Sequence, residues 1–154
     1  IHSKYEEKKY LLQEKMFPML LDSRRAYFRV YYICGYTIPC WWDDKTHIFG
    51  NRVTGKEEKK YNLKNLVRIT ENIAAISKLD FFSTELCLTE KKRFVVVDYV
   101  NDPCDMRLAS RYIDGVPDKV IDLMIRHIIH YVKIAKMERL TPLRKEFIKR
   151  RRAF

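Results

Sequence analysis

Two acidic residues, Glu85 and Asp98, sit in the two most strand-like stretches of the chain, residues 81–89 and 93–100, with Asn101 just beyond them. Both stretches are dense in β-branched and aromatic residues and are separated by the polar turn Glu90, Lys91 and Lys92. An even loop centred between Lys91 and Lys92 sets Glu85 opposite Asp98. Opposed residues on an antiparallel pair have Cβ atoms about 5 Å apart, so two carboxylates placed in this way repel. Either one carries a proton, because the neighbouring charge raises its pKa, or a cation lies between them. Mg²⁺ takes oxygen ligands and commonly uses one or two carboxylates with substrate phosphates, which suits Glu85 and Asp98 with the amide oxygen of Asn101. An odd loop would instead leave the two acids diagonal, with Lys92 or Arg93 neutralising them. On the even-loop reading, replacing either acid by its amide relieves repulsion and is neutral or slightly stabilising without metal.

The elements that must position these residues follow from periodicity. Residues 10–17 (YLLQEKMF) and 26–34 (AYFRVYYIC) read as strands, and a tight connection at Gly35 and Tyr36 returns the chain through 37–42 as a hairpin. Residues 43–61 are polar, contain Gly50 and Gly55, and read as a mobile loop. Asn62 is placed to cap a helix whose apolar positions Leu63, Leu66, Val67, Ile69, Ile73 and Ile76 share one face, ending near Lys78. After an irregular stretch, Pro117 and Asp118 open a long helix to about Met137. Thr141 and Pro142 then restart a short basic helix, which divides the chain into residues 1–138 and a basic tail 139–154. The fold class expected is α+β, a mainly antiparallel sheet with flanking helices. Neither G-x-G-x-x-G nor G-x-x-x-x-G-K-[ST] occurs, so the common glycine-rich phosphate loops are missing.

With 154 residues, 47% of them apolar, the chain is of a size to bury one core. No run of eighteen apolar residues is present, which excludes an ordinary membrane-spanning helix. The opening residues are charged, and the first is Ile1 rather than Met, so the expectation is a piece of a longer protein. Cys34, Cys40, Cys87 and Cys104 show neither C-x-x-C nor zinc spacing, which fits free thiols in a cytoplasmic protein. The formal charge of +11 is concentrated near the end, at Arg144, Lys145, Lys149, Arg150, Arg151 and Arg152. That end reads as a solvated helix terminus or as a contact for nucleic acid, lipid headgroups or another polyanion.

Other reactive residue types invite less. His127 and His130 lie three apart in the long helix without an acidic partner and read as structural. Trp41 and Trp42 alternate across a strand, so one packs inward and the other could line a ligand cleft. Ser83 and Thr84 have no His–acid pair for a hydrolase triad.

Taken together, ISKLDFFSTELCLTEKKRFVVVDYVND resembles the closing hairpin of the ATP-grasp superfamily, which includes glutathione synthetase and D-alanine:D-alanine ligase. There one strand offers an acid and the next ends in an acid-x-Asn motif, which implies Glu85, Asp98 and Asn101 as ligands of Mg²⁺ held against ATP. YLLQEKMF is similar to the strand entering the adenine hinge, implying Gln13 and Glu14 near the base and ribose. FRVYYICGYTIP is similar to the following hairpin, implying that Arg29 reaches the phosphates or an acyl phosphate. The spacing D-Y-V-N is one residue longer than the familiar E-x-N, leaving Asn101 or Asp102 as the last ligand; a bulge would absorb the extra residue. DYVNDPCDMR resembles a further ATP-grasp group and would set Asp105 and Arg107 beside the phosphates, the other reading being a local ion pair. The resemblance implies the C-terminal part of an ATP-grasp domain, inactive alone because the substrate domain, lid and ATP-binding lysines would lie before Ile1. Its activity would be ATP- and Mg-dependent ligation through an acyl phosphate, or kinase chemistry on the same fold. A second class is a noncatalytic basic module for nucleic acid, whose binding would fall steeply with salt regardless of Mg²⁺.

Overall fold

The computed structural model describes Leu12 and residues 14–151, with side chains up to Met137. Residues 14–17 are not strand, and Pro18, which has no N–H to donate, makes a single bridge to Thr89. A two-stranded ribbon follows, β1 (Leu20–Leu21) and β2 (Arg24–Arg25), turning through Asp22 and Ser23 with positive φ. The main hairpin is β3 (Tyr27–Ile33) and β4 (Tyr36–Trp42). Its two-residue turn is Cys34–Gly35, both left-handed, so Tyr36 opens β4 and is not part of the turn.

The polar stretch read as a loop carries structure. β5 (Phe49–Arg52) adds an edge strand, and α1 (Gly55–Tyr61) begins with a reciprocal capping box between Thr54 and Glu57. Asn62 does not start the next helix. It closes α1 in the left-handed conformation, its N–H donating to the Glu58 carbonyl, and Leu63 precedes α2 (Lys64–Ser77) without a side-chain cap. The face that α2 buries is Leu66, Thr70 and Ala74, while Ile76 at its end is exposed.

β6 (Phe81–Leu88) and β7 (Phe94–Asn101) form the second hairpin, giving a five-stranded antiparallel sheet in the order β5-β4-β3-β6-β7. α3 (Asp118–Arg151) then runs as one helix through Pro142, without the expected restart at Thr141. A proline removes one helical hydrogen bond but need not end a helix. The chain is thus α+β with mainly antiparallel pairing. Among the described residues no helix is long and apolar enough to cross a membrane.

Alternation along β3 and β6 divides the sheet into two faces. Phe28, Val30 and Leu86 pack with Trp41, Leu63 and Leu66 beneath the helices α1 and α2. On the opposite face Tyr31, Ile33 and Ile38 meet Cys104, Val116 and Met124 under the start of α3. At the other end of that face Tyr27, Trp42 and Cys87 form a third apolar cluster with Met16 and Val97. Between these last two clusters lies a polar strip.

Candidate functional site

Arg29 and Glu85 are Cα partners in the β3–β6 ladder, and their side chains form an ion pair on this face. The Arg29 guanidinium lies over Trp42 at 4.6 Å from the ring centre and over Phe49 at 5.8 Å, an arrangement that favours its charge. Glu85 is 8% exposed and also accepts a 3.4 Å hydrogen bond from the Tyr27 hydroxyl. Burial, reinforced by the Glu85 charge, pushes the Tyr27 phenol up, so it stays a neutral donor.

Glu85 is indeed opposite Asp98, though by a different route from the one expected. The β6–β7 loop is odd: Leu88 pairs with Phe94, and the turn residue Lys92 has a positive φ. A register shift between Leu86 and Glu85 restores the pairing, and another before Ser83 aligns Ser83 with Asn101. From Asp98 to Asn101 the chain therefore spans what β6 covers from Glu85 to Ser83, and the extra residue of D-Y-V-N is absorbed as a bulge. The Thr84 hydroxyl donates to the Asp98 carbonyl at 2.8 Å and fixes this irregularity. Asp98 is exposed and accepts a 2.8 Å hydrogen bond from the Asn101 amide nitrogen.

The repulsion argument for a cation does not survive this geometry. Arg29 supplies the charge that compensates Glu85, so the pair of acids needs no metal to coexist, and Glu85→Gln would strand a buried guanidinium instead of relieving strain. Among the described residues no three His, Cys, Asp or Glu side chains come together as a metal site. Arg29, Glu85 and Asp98 are nonetheless opposed in one row across three adjacent strands, and Asn101 lies opposite Ser83, two residues along β6 from Glu85.

Two further members join them: Tyr31, which the sequence did not single out, and Ser83, which it offered only as a nucleophile without a His–acid pair. Tyr31 and Ser83 are the next Cα partners along the ladder, both fully buried, and the Tyr31 hydroxyl, Ser83 hydroxyl and Arg29 Nε have no hydrogen-bond partner in the protein. Period-two alternation from Arg29 and Glu85 was the available signal. Burial pushes the Tyr31 phenol up, and it likewise pushes the neighbouring Cys104 thiol up to about 12, so neither is ionised near neutrality. All four cysteines are unpaired.

The remaining expected residues fall outside this strip. Arg107 bridges Asp105 and Asp114, each at 2.8 Å, and lies over Tyr112. Burial works against the Asp105 charge, but Arg107 overcomes it and holds the carboxyl below its ordinary value. This is the local ion pair, tying down the loop of residues 102–116 beneath which Tyr31 is buried. Glu14 is exposed and lines a cleft of about 370 Å³ with Met16, Phe17, Arg93 and Val95. Met16 of this cleft reaches the Tyr27–Trp42–Cys87 cluster, on the sheet face that carries Glu85. Gln13 lies outside the described residues. A larger cleft of about 690 Å³ runs past Arg24, Trp41, Trp42 and Phe49 and contains none of the residues expected to hold ATP or Mg²⁺. Trp41 and Trp42 are both buried on opposite faces, and both border it. His127 stacks on Tyr36 at 3.7 Å between ring centres, a packing role.

What emerges is an antiparallel α+β unit with a polar strip buried between two apolar clusters on one sheet face. Comparison with protein-family models, curated proteins and solved structures finds no match.

Proposed function

We propose that this chain is the C-terminal part of an ATP-grasp enzyme that uses ATP and Mg²⁺ to activate a carboxylate as an acyl phosphate for attack by an amine or another nucleophile. The observation that carries the reading is the row of buried donors without acceptors, Arg29 Nε, Tyr31 hydroxyl and Ser83 hydroxyl, on the face that also bears Glu85 and Asp98. A buried unsatisfied donor costs roughly 1–3 kcal/mol, and a phosphate or carboxylate group supplies the acceptors it lacks. Arg29 is held over Trp42 with donors to spare and is the group to meet the transferred phosphate. Glu85, Asp98 and Asn101 would hold Mg²⁺, which neutralises phosphate charge when bound. To serve as a ligand Glu85 would have to leave Arg29, whose guanidinium would then be available to phosphate oxygens, so on this reading the ion pair is the resting contact. Glu14, at the cleft further along the same face, is the residue near the base and ribose.

The test is calorimetric titration of the chain with Mg-ATP. Because Asp98 is exposed, Asp98→Asn keeps the fold, and it should weaken Mg-ATP binding by at least about tenfold, as removal of Mg²⁺ with a chelator should. Residues 1–154 alone should bind without turnover. Binding indifferent both to the chelator and to Asp98→Asn would overturn the reading.

A further inference from the structure

The cleft of about 690 Å³ and the buried polar strip share a wall. Trp42 and Phe49 line the cleft, and the Arg29 guanidinium lies against both rings, 4.6 Å and 5.8 Å from their centres. Phe49 is also stacked on Tyr31, 23° from parallel with 6.1 Å between ring centres. One half-buried ring thus faces the cleft and covers two of the residues whose buried donors lack a partner, Arg29 at Nε and Tyr31 at its hydroxyl. The backbone beneath it is held: at Gly50 a Cβ would stand 2.8 Å from that of Trp41, so the missing side chain lets β5 lie close over β4. Rotation of the Phe49 side chain into the cleft joins the two spaces without moving the strand.

The charges that line the cleft are already compensated. Asp22 is bound by Lys60 and by the Tyr61 hydroxyl, Asp43 accepts from the Lys45 and Thr46 N–H groups at 2.8 and 3.2 Å, and Arg25 is matched by Asp44. What the inner wall offers an occupant is the flat apolar surface of Trp42, Phe49 and Ile48, the last 40% exposed. Behind that wall are donors that want an acceptor. Glu85 engages Arg29 at Nη2 and leaves Nε free, so a carboxylate there takes Nε and the Tyr31 hydroxyl together.

We propose that the cleft binds a small carboxylate with a flat apolar body, whose carboxylate passes Phe49 to accept from Arg29 Nε and the Tyr31 hydroxyl. This rests on the proposed reading of the strip as the place where ATP meets a carboxylate, and it gives that carboxylate a chemical class and a route. The cleft is of the size that holds small organic ligands, roughly 300–1,000 Å³.

The chain's two tryptophans both border the cleft, so their emission reports its occupancy. Benzoate titrated into the full chain, with neither ATP nor metal present, should change that emission saturably. It should bind at least about tenfold tighter than benzamide, which lacks the charge, or acetate, which lacks the ring. Tyr31→Phe deletes the unpartnered hydroxyl, and Ile48→Glu puts a like charge on the exposed cleft wall. Both should keep the wild-type circular dichroism, and each should weaken benzoate by at least about fivefold. No saturable change, or benzoate no tighter than benzamide, overturns the proposal. So does a loss in Arg24→Ala with none in Tyr31→Phe, which puts the anion beside Trp41 instead of in the strip. Affinity untouched by Ile48→Glu also overturns it, since the strip is then entered from elsewhere. With no nucleotide in this titration, its failure leaves Mg-ATP binding standing, and failure of Mg-ATP binding leaves this result readable.

Discussion

The two faces of the central sheet are built by alternate residues of the same strands and are opposite in character. Towards α1 and α2, Phe28, Val30 and Leu86 interlock with Leu63 and Leu66; Thr70 there is tied to the Leu66 carbonyl at 2.8 Å, and the Thr37 hydroxyl, opposite Tyr32, is buried without a partner. On the other face Tyr31, Ser83 and Glu85 are buried beside the half-buried Arg29, with three donors unpaired. Burial of apolar surface stabilises, whereas burial of charge and of unpaired hydroxyls costs free energy. A chain able to build the first face could have built the second in the same way. The polar strip is therefore the costly part of the sheet, set in a frame of apolar clusters that holds it in place, and the binding role proposed for it would offset that cost.

This contrast gives a graded series of stability changes, measurable by chemical denaturation. The largest belongs to the apolar face: Phe28→Ala opens a cavity at a fully buried position and should destabilise by about 4 kcal/mol. On the polar strip, Glu85→Gln leaves the Arg29 charge buried without its partner and should cost about 3 kcal/mol. Arg29→Met with Glu85→Leu, removing both charges, should come back to within about 1 kcal/mol of wild type. If the double change costs more than either single one, the strip is a source of stability and the contrast fails.

A polar pair outside the strip serves as control. Arg25 donates two hydrogen bonds to Asp44, at 2.7 and 2.6 Å, linking the β1–β2 ribbon to the end of β4. The Arg25 hydrogen bonds hold the Asp44 carboxyl below its ordinary value. Its stabilisation is complete above about pH 4 and is lost as pH falls through the depressed folded value, because the unfolded chain takes up the proton first. Asp44→Asn should cost about 2 kcal/mol at neutral pH and remove that part of the acid dependence. Smallest of all, Ser83→Ala should leave stability unchanged or raise it by up to about 1 kcal/mol, since the hydroxyl it deletes has no partner. A loss above that size would mean the hydroxyl is satisfied in solution.

Much of this frame was legible in the sequence, and the exceptions have physical causes. Both hairpins and the long helix announced themselves through β-branched density and apolar periodicity. α1 did not, because Gly55 and a run of charged residues look like a loop until the Thr54–Glu57 capping pair is counted. Asn62 was assigned to the wrong helix since the residue types that begin a helix overlap with those that end one in the left-handed conformation. The Glu85–Asp98 pairing came out as expected while the loop parity behind it did not, for bulges leave no clear mark in sequence. Arg29 was read as a ligand-facing cation, but its choice of Glu85 as partner depends on cross-strand register between β3 and β6, separated by β4, β5, α1 and α2. That Tyr31 and Ser83 face each other beside this pair was hidden for the same reason.

The central claim is that the Arg29–Glu85 pair is a resting contact which nucleotide and metal jointly open. Electron paramagnetic resonance of Mn²⁺, standing in for Mg²⁺, reads it directly. Without nucleotide the ion should bind weakly, as Glu85 is engaged by Arg29; addition of a non-hydrolysable ATP analogue should tighten it by at least about tenfold, and Asp98→Asn should abolish the gain. Mn²⁺ affinity that is the same with and without the analogue, or a gain that persists in Asp98→Asn, would contradict the account.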